Sequence, residues 1–452
     1  MSKEALTLPM VNALFCKELR ELIATKSFWV MLVVLCPLVG FSFMEAVFLY
    51  GNAGESIMGN ELLLGRLSPL EGVVVPTFSA MYMSEVFLFP FVAIRLLGVE
   101  KQFGSLKFLL QVTPSLLAPI FVKVITALLA FTVSLLPAAA AIAAWHSMGG
   151  YWNSQEILVL VLGHFLFALL IASIAFFSVA VTDSPQTAAI VTLTFTISSW
   201  VLEFAGQNQS TLNSVSWLSM TAHLRLFESA LFSLQTVLGF LTASMAFLLL
   251  SAIWLRAADN LQQKFSKSLL LMVGVSIAAF IAHESFYFKD YSENRINSFH
   301  PQNEAELRKL NKPLRIEIHL DPDDSLAVDY ERTFLSKLRR VVKDFKVVYV
   351  KPKEPGPNGI EDPRYGEINY DYNGVRLQIH DVGARRALEV LHFLTGTRLE
   401  GEVDSPYPGH PIKGDASKFR FLFYVLMPTF IVLLWFALQK LLKQKRGSVN
   451  YV

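Results

Sequence analysis

The run EILVLVLGHFLFALLIASIAFFSVAV, Glu156–Val181, decides what kind of protein this is. It exceeds the roughly 20 mostly apolar residues that carry a helix across a bilayer. Past Glu156, its only ionisable residue is His164. Hydrocarbon offers no partner for free backbone groups, so a run like this must be helical. Seven more stretches qualify on either side: Ser27–Leu49, Pro76–Leu97, Pro119–Trp145, Thr187–Phe204, Leu234–Leu255, Ser268–Ala282 and Phe419–Leu438. The Thr and Ser of Thr187–Phe204 point to a span packed against other helices. The chain is 53% hydrophobic and only 17% charged, where soluble domains carry roughly 25% charged residues. That excludes an ordinary soluble enzyme. A net charge of +2 provides no field for nucleic acid.

Charge placement sets the orientation, because Lys and Arg collect on the cytoplasmic side. Lys3, Lys17, Arg20 and Lys26 precede the first span, Lys101 and Lys107 follow the second, and Lys264 and Lys267 follow the sixth. Lys440, Lys443, Lys445 and Arg446 make a basic tail. The alternate loops are poor in cations: Ser147–Gln155 has none, Tyr50–Val75 only Arg66, and Gln207–Ser233 only Arg225. The expected fold is therefore a polytopic α-helical membrane protein of about eight transmembrane helices with both termini cytoplasmic. A small α/β exoplasmic domain is expected between the last two helices. Met1–Phe15 lacks a long apolar core, so the first span is expected to be a retained anchor. Cys16 and Cys36 have neither disulfide-framework nor metal-site spacing.

Residues 285–418 differ in composition and hold most of the carboxylates. Asn303–Leu310 reads as a helix, and Leu314, Ile316, Ile318 and Leu320 alternate as in a half-buried strand. Ala327–Lys343 has helical spacing, and Phe345–Val350 is a second strand. Glu367–Tyr372 and Val375–His380 flank Asn373-Gly374, a type I′ hairpin signal. Ala384–Thr395 closes the unit as a helix. The order α-β-α-β-β-β-α suggests a mixed sheet, thioredoxin-like in outline but without cysteine, and Ser405–Lys413 reads as a linker.

Two segments bear on mechanism. Asn12–Ser27 sets Leu14, Phe15, Leu19, Leu22 and Ile23 against Lys17, Glu18, Arg20 and Glu21, which suits a helix lying on the inner leaflet or a solvated lead-in to the first span. Gly98–Lys123 begins with Glu100 and Lys101, passes Gly104, continues amphipathically through Ser105, Leu106 and Leu110, and breaks at Thr113-Pro114. Together they give a KELRE run (Lys17 to Glu21) and an E-K-x-x-G-S-L-x-x-L-L-x-x-T-P run (Glu100 to Pro114). In these residues the chain resembles the permease subunits of the ABC-2 exporter family. Gln102, Ser105 and Lys107 stand where that family commonly has Glu, Thr and Glu, and Lys123 stands where it places the Lys opening the third span.

The resemblance covers roughly Leu14–Arg256. It implies a dimer with a second copy or a paralogue, and a separate ATPase that binds ATP and Mg and grips Lys17, Glu18, Arg20, Glu21, Glu100, Lys101, Gly104, Ser105, Leu106, Thr113 and Pro114. It also implies re-entrant elements at Asn213–Leu231; an interfacial surface helix is the alternative there. The rest, including Asp290–Ser298, resembles the gliding-motility auxiliary protein family, so the chain looks like a permease fused to a shortened auxiliary domain.

The layout that follows has an interfacial helix at 1–26 and a six-helix domain at 27–256 with a coupling helix near 99–114. A linker and seventh span fill 257–284, the exoplasmic domain 285–418, and the last span with its tail 419–452. The expected location is a bacterial inner membrane, and residues 285–418 offer a surface for an envelope partner.

No phosphate-binding G-x-x-x-x-G-K-[ST] loop occurs, nor H-E-x-x-H or G-x-S-x-G. No catalytic, cofactor or metal residue is therefore assigned, and Asp321, Asp323 and Asp324 read as a solvated turn. Glu45, Glu85, His164 and Glu203 lie at or near lipid depth, where an ionised group costs about 2.5–3.5 kcal/mol and should face protein or water. Glu85 is the candidate pathway residue, with a carboxylate bonded to a neighbouring Ser or Thr as the alternative; His164 reads as packing. The functional expectation is the permease subunit of an ATP-driven exporter. The alternative is a complex passing ATP energy to an envelope or gliding machine without moving a solute.

Overall fold

Every apolar stretch of the sequence becomes a helix long enough to close its own backbone hydrogen bonds across hydrocarbon. The computed structural model describes residues 8–57, 67–106, 108, 117–208, 218–285, 287–342, 344–351, 363–396 and 407–449. Eight of its helices are long and apolar enough to cross a membrane. An amphipathic helix α1 (Leu8–Ala24) comes first. The spans that follow are α2 (Lys26–Ser56), α3 (Leu70–Gln102), α4 (Leu117–Ser147), α5 (Ser154–Val181) and α6 (Pro185–Ala205). After a short helix α7 (Met220–Glu228) come the spans α8 (Leu234–Leu255) and α9 (Leu261–His283), and α13 (Ala416–Gln444) ends the chain.

The bundle has two distinct ends. At the base lie α1, the described start of the α3–α4 connection (103–106) and the connections α5–α6 and α8–α9; the Gln439 amide of α13 also reaches the Ile23 carbonyl there, at 3.3 Å. The opposite end, the crown, carries the α/β domain. α3 and α5 are the most enclosed spans, whereas α9 and α13 bury few of their residues. α6 divides its faces as its composition suggests: Thr192, Thr196 and Ser199 are buried, while Ile190, Phe195, Trp200 and Phe204 are exposed.

The domain contains α10 (Pro301–Leu307), β3 (Leu314–Ile318), a helix α11 built from Ser325–Tyr330, Glu331–Leu335 and Ser336–Val341, β4 (Phe345–Tyr349), β5 (Ile368–Tyr372), β6 (Val375–Ile379) and α12 (Ala384–Thr395). The sheet order is β4-β3-β5-β6. β3 runs parallel to β4, with Leu314 opposite Phe345, and antiparallel to β5, with Ile316 opposite Tyr370. Leu314, Ile316 and Ile318 are buried against Phe334, Leu338 and Leu391, which is why every second residue of β3 is aliphatic. Asn373 and Gly374 turn the hairpin at φ 56° and 80°, the positive values a type I′ turn needs.

A feature not anticipated from the sequence ties domain to bundle. β1 (Leu231–Ser233), directly after α7, pairs antiparallel with β2 (Phe288–Asp290), directly after α9. The Asp290 carboxylate then organises the following loop, accepting from the Ser292 backbone N–H at 3.0 Å and the Ser298 hydroxyl at 2.7 Å. Glu293 N–H donates to Glu156 at 2.8 Å, and the Tyr50 hydroxyl donates to the His410 carbonyl at 2.8 Å.

Candidate functional site

Two buried charge networks stand out, one at the base and one at mid-bundle. The base network begins with the amphipathic spacing of α1. Leu22 is buried and Leu19 and Ile23 pack on the core, which seats the helix across the bundle's end. Glu18 then faces inward, Lys17 lies half-exposed beside it and Arg20 faces outward. Glu18 meets the Lys123 ammonium of α4 at 2.7 Å, and that same ammonium lies 3.0 Å from Glu100 of α3 and donates to the Leu96 carbonyl at 2.7 Å. Lys17 pairs with Glu18 at 3.0 Å, with Glu21 at 3.3 Å and also with Glu100. Burial alone would lower the Lys17 amine, but Glu100 and Glu18 beside it hold it well above the usual lysine range. Glu18, Glu21 and Glu100 bring carboxylate oxygens within 4.8 Å of one another, and the two ammonium groups supply the counter-charge.

The structure thus gathers Lys17, Glu18, Glu21 and Glu100 into one cluster. Lys101 points elsewhere, donating to the carbonyls of Val179 (2.8 Å), Ala180 (3.0 Å) and Thr182 (2.7 Å) at the end of α5. The second span, expected to end at Leu97, runs further. α3 runs to Gln102, and the chain turns at Gly104, whose φ of 75° suits glycine. Ser105 and Leu106 resume helical geometry, with the Ser105 hydroxyl 3.3 Å from the Glu100 carbonyl and Leu106 buried. Lys107, Thr113 and Pro114 lie outside the described residues. Sequence reading did not single out Phe103 and Phe108, which are 79% and 72% exposed at the base. Their only signal was two large apolar side chains in a loop that also carries Lys101 and Lys107.

The mid-bundle network is built around α7. Ser219 caps this helix, accepting from Ala222 N–H at 3.1 Å, and its hydroxyl donates to the Ser199 carbonyl at 2.8 Å. The Ser199 hydroxyl accepts from Thr221 N–H at 3.0 Å, and Tyr82 of α3 bonds the Thr221 hydroxyl at 3.3 Å. Leu224 and Phe227 are fully buried, so α7 is no surface helix; residues 213–217 lie outside the described residues. Gly163 of α5 makes room for it, since a Cβ there would fall 2.3 Å from the Phe227 Cβ.

Five charged side chains follow. Arg225 pairs with Glu203 of α6 at 3.1 Å and Glu228 at 2.6 Å. His164 lies 3.6 Å from Glu228 and 2.9 Å from Glu85. The partner of Glu85 is therefore His164, not a Ser or Thr, and His164 is no mere packing residue. Burial opposes ionisation of Glu228, but His164 and Arg225 together hold its carboxyl below the usual range. Glu45, by contrast, is exposed on α2. In the domain, Asp324 caps α11 by accepting from Leu326 N–H at 2.8 Å, and Asp321 pairs with Lys351 at 3.1 Å, as befits a solvated turn.

Compared with known proteins, the chain matches no family model, no curated protein and no solved structure.

Proposed function

We propose that this chain is the membrane permease subunit of an ATP-driven exporter of the ABC-2 type. It would sit in a bacterial inner membrane, paired with a second permease copy or a paralogue. ATP and Mg would be bound by a separate ATPase subunit docked at the base, which is then the cytoplasmic side, with the α/β domain outside.

The observation that carries the reading is the junction of Lys17, Glu18, Glu100 and Lys123. It fuses an amphipathic helix to the ends of two spans, so force applied to α1 is delivered to α3 and α4 without a flexible loop in between. Exposed Arg20, Phe103 and Phe108 beside this junction offer a cationic and aromatic grip for a soluble motor. Glu85, held at mid-bundle, would line or gate the route.

The test is co-purification from mild detergent. A nucleotide-binding protein should accompany the wild type and be lost from the F103A/F108A double variant. A well-folded chain that brings down no such protein would refute the proposal. A membrane-impermeant thiol reagent should reach Cys16, exposed on α1, only from the cytoplasmic face.

The β1–β2 ribbon favours a second reading, force transmission to an envelope partner, because it couples α7 directly to the domain. Deleting residues 292–417 separates the two. An exporter core keeps part of its transport, whereas a transmission device loses all activity.

A further inference from the structure

At mid-bundle, Glu203, Arg225, Glu228, His164 and Glu85 form a chain in which each member touches the next. Their signs alternate only if His164 carries protons on both ring nitrogens. Between two ionised carboxylates a neutral ring would turn one lone pair toward one of them, since Nδ1 faces Glu85 and Nε2 faces Glu228. It would also leave three carboxylates against one guanidinium. Glu85, His164 and Glu228 are at most 2% exposed, and an unpaired buried charge costs several kcal/mol.

No other described group can supply the missing charge. α8 carries no titratable residue. α4 has Lys123, bound to Glu18 at the base, and His146 near the crown. α2 contributes Lys26 at the base and Cys36, Glu45, Tyr50 and Glu55, none of them cationic apart from that lysine. On α3, Tyr82 lies under Arg225, Glu71 is at the crown end, and Arg95 and Lys101 are toward the base. Glu156 stands at the crown end of α5. His223 of α7 bonds the Ser219 carbonyl at 2.7 Å and faces Phe240.

We propose that Glu85, His164 and Glu228 form a proton-binding site, an imidazolium held between two carboxylates, filled when α7 seats in the bundle and emptied when it withdraws. α3 and α5 supply Glu85 and His164, whereas Glu228 arrives on α7. Seating takes one proton from water onto the free ring nitrogen. Withdrawal removes Glu228, admits water to the gap and returns that proton to it. Because linkage is reciprocal, the proton favours seated α7 as much as seated α7 favours the proton. The β1–β2 ribbon next to α7 extends the same coupling to the domain. The site stands on these five residues and needs no ATPase.

The test is magic-angle-spinning NMR of the full chain in lipid bilayers with ¹⁵N-labelled histidine rings and ¹³C-labelled glutamate, at about pH 8, where free histidine is neutral. One histidine should show two protonated ring nitrogens and contacts to two glutamate carboxylates. That signal should convert to a neutral ring in E228Q and persist in E203Q. A neutral His164 in the wild type at this pH overturns the proposal, as does a doubly protonated ring that E228Q leaves unchanged. If E228Q does not fold, the wild-type spectrum alone decides.

Discussion

Lys123 and Glu18 are joined by a 2.7 Å ion pair from which water is excluded on both sides. One belongs to a spanning helix and the other to a helix lying across the bundle's end. Lys123 is also the only described cation that Glu18 and Glu100 share besides the half-exposed Lys17. Replacing it by Met should therefore cost about 3–5 kcal/mol, the range for a buried pair that loses one partner. Thermal unfolding in detergent would show this. K123M/E18Q should recover part of the loss, because it removes the stranded charge as well as its partner.

Lys101 belongs to the helix end it caps. Its ammonium satisfies three carbonyls at the end of α5, where the helix dipole is negative. K101A should cost about 1–3 kcal/mol and raise amide exchange locally around residues 179–183. K101R should retain most of the protection. An unchanged exchange profile in K101A would leave the lysine free for a docking partner instead.

The spans were legible because crossing hydrocarbon imposes both length and composition. The strands of the domain were legible because β3 must turn Leu314, Ile316 and Ile318 inward. The base junction was half legible: Lys17, Glu18 and Glu100 read as a docking face, yet they are largely consumed by one another and, for the two carboxylates, by Lys123, and nothing local to α1 announces a cation on α4. The mid-bundle network was less legible still. Arg225 and Glu228 look like an i,i+3 pair on a solvated helix, and His164 like a lone polar residue in an apolar run. Only the descent of α7 into the bundle makes them neighbours. Strands of three residues, as in β1 and β2, are too short for any periodic signal.

Acid should loosen α7. Its partners hold the Glu228 carboxyl below the usual range, so the stabilisation is present above the unfolded value and is lost as pH falls through the folded one. Once Glu228 is neutral, Arg225 keeps only Glu203. Amide exchange across residues 220–228, corrected for its intrinsic pH dependence, should accelerate below about pH 4. In E228Q the acceleration should already be present at neutral pH.

Gly163 sets how closely α7 can approach α5. The Cβ of an alanine there would lie 2.3 Å from the Phe227 Cβ, and that atom is fixed to the backbone and cannot swing aside. G163A must therefore displace α7 by more than a rotamer change can absorb, at a cost of about 1–3 kcal/mol for an overpacked contact. The displacement also draws Glu228 away from His164, already 3.6 Å distant. Exchange across residues 220–228 should rise without acid, while the base junction, which G163A does not touch, should keep its protection. F227G on the G163A background removes that Cβ and with it the clash, and should restore part of the seat; if it restores nothing, steric contact at Gly163 is not what positions the helix.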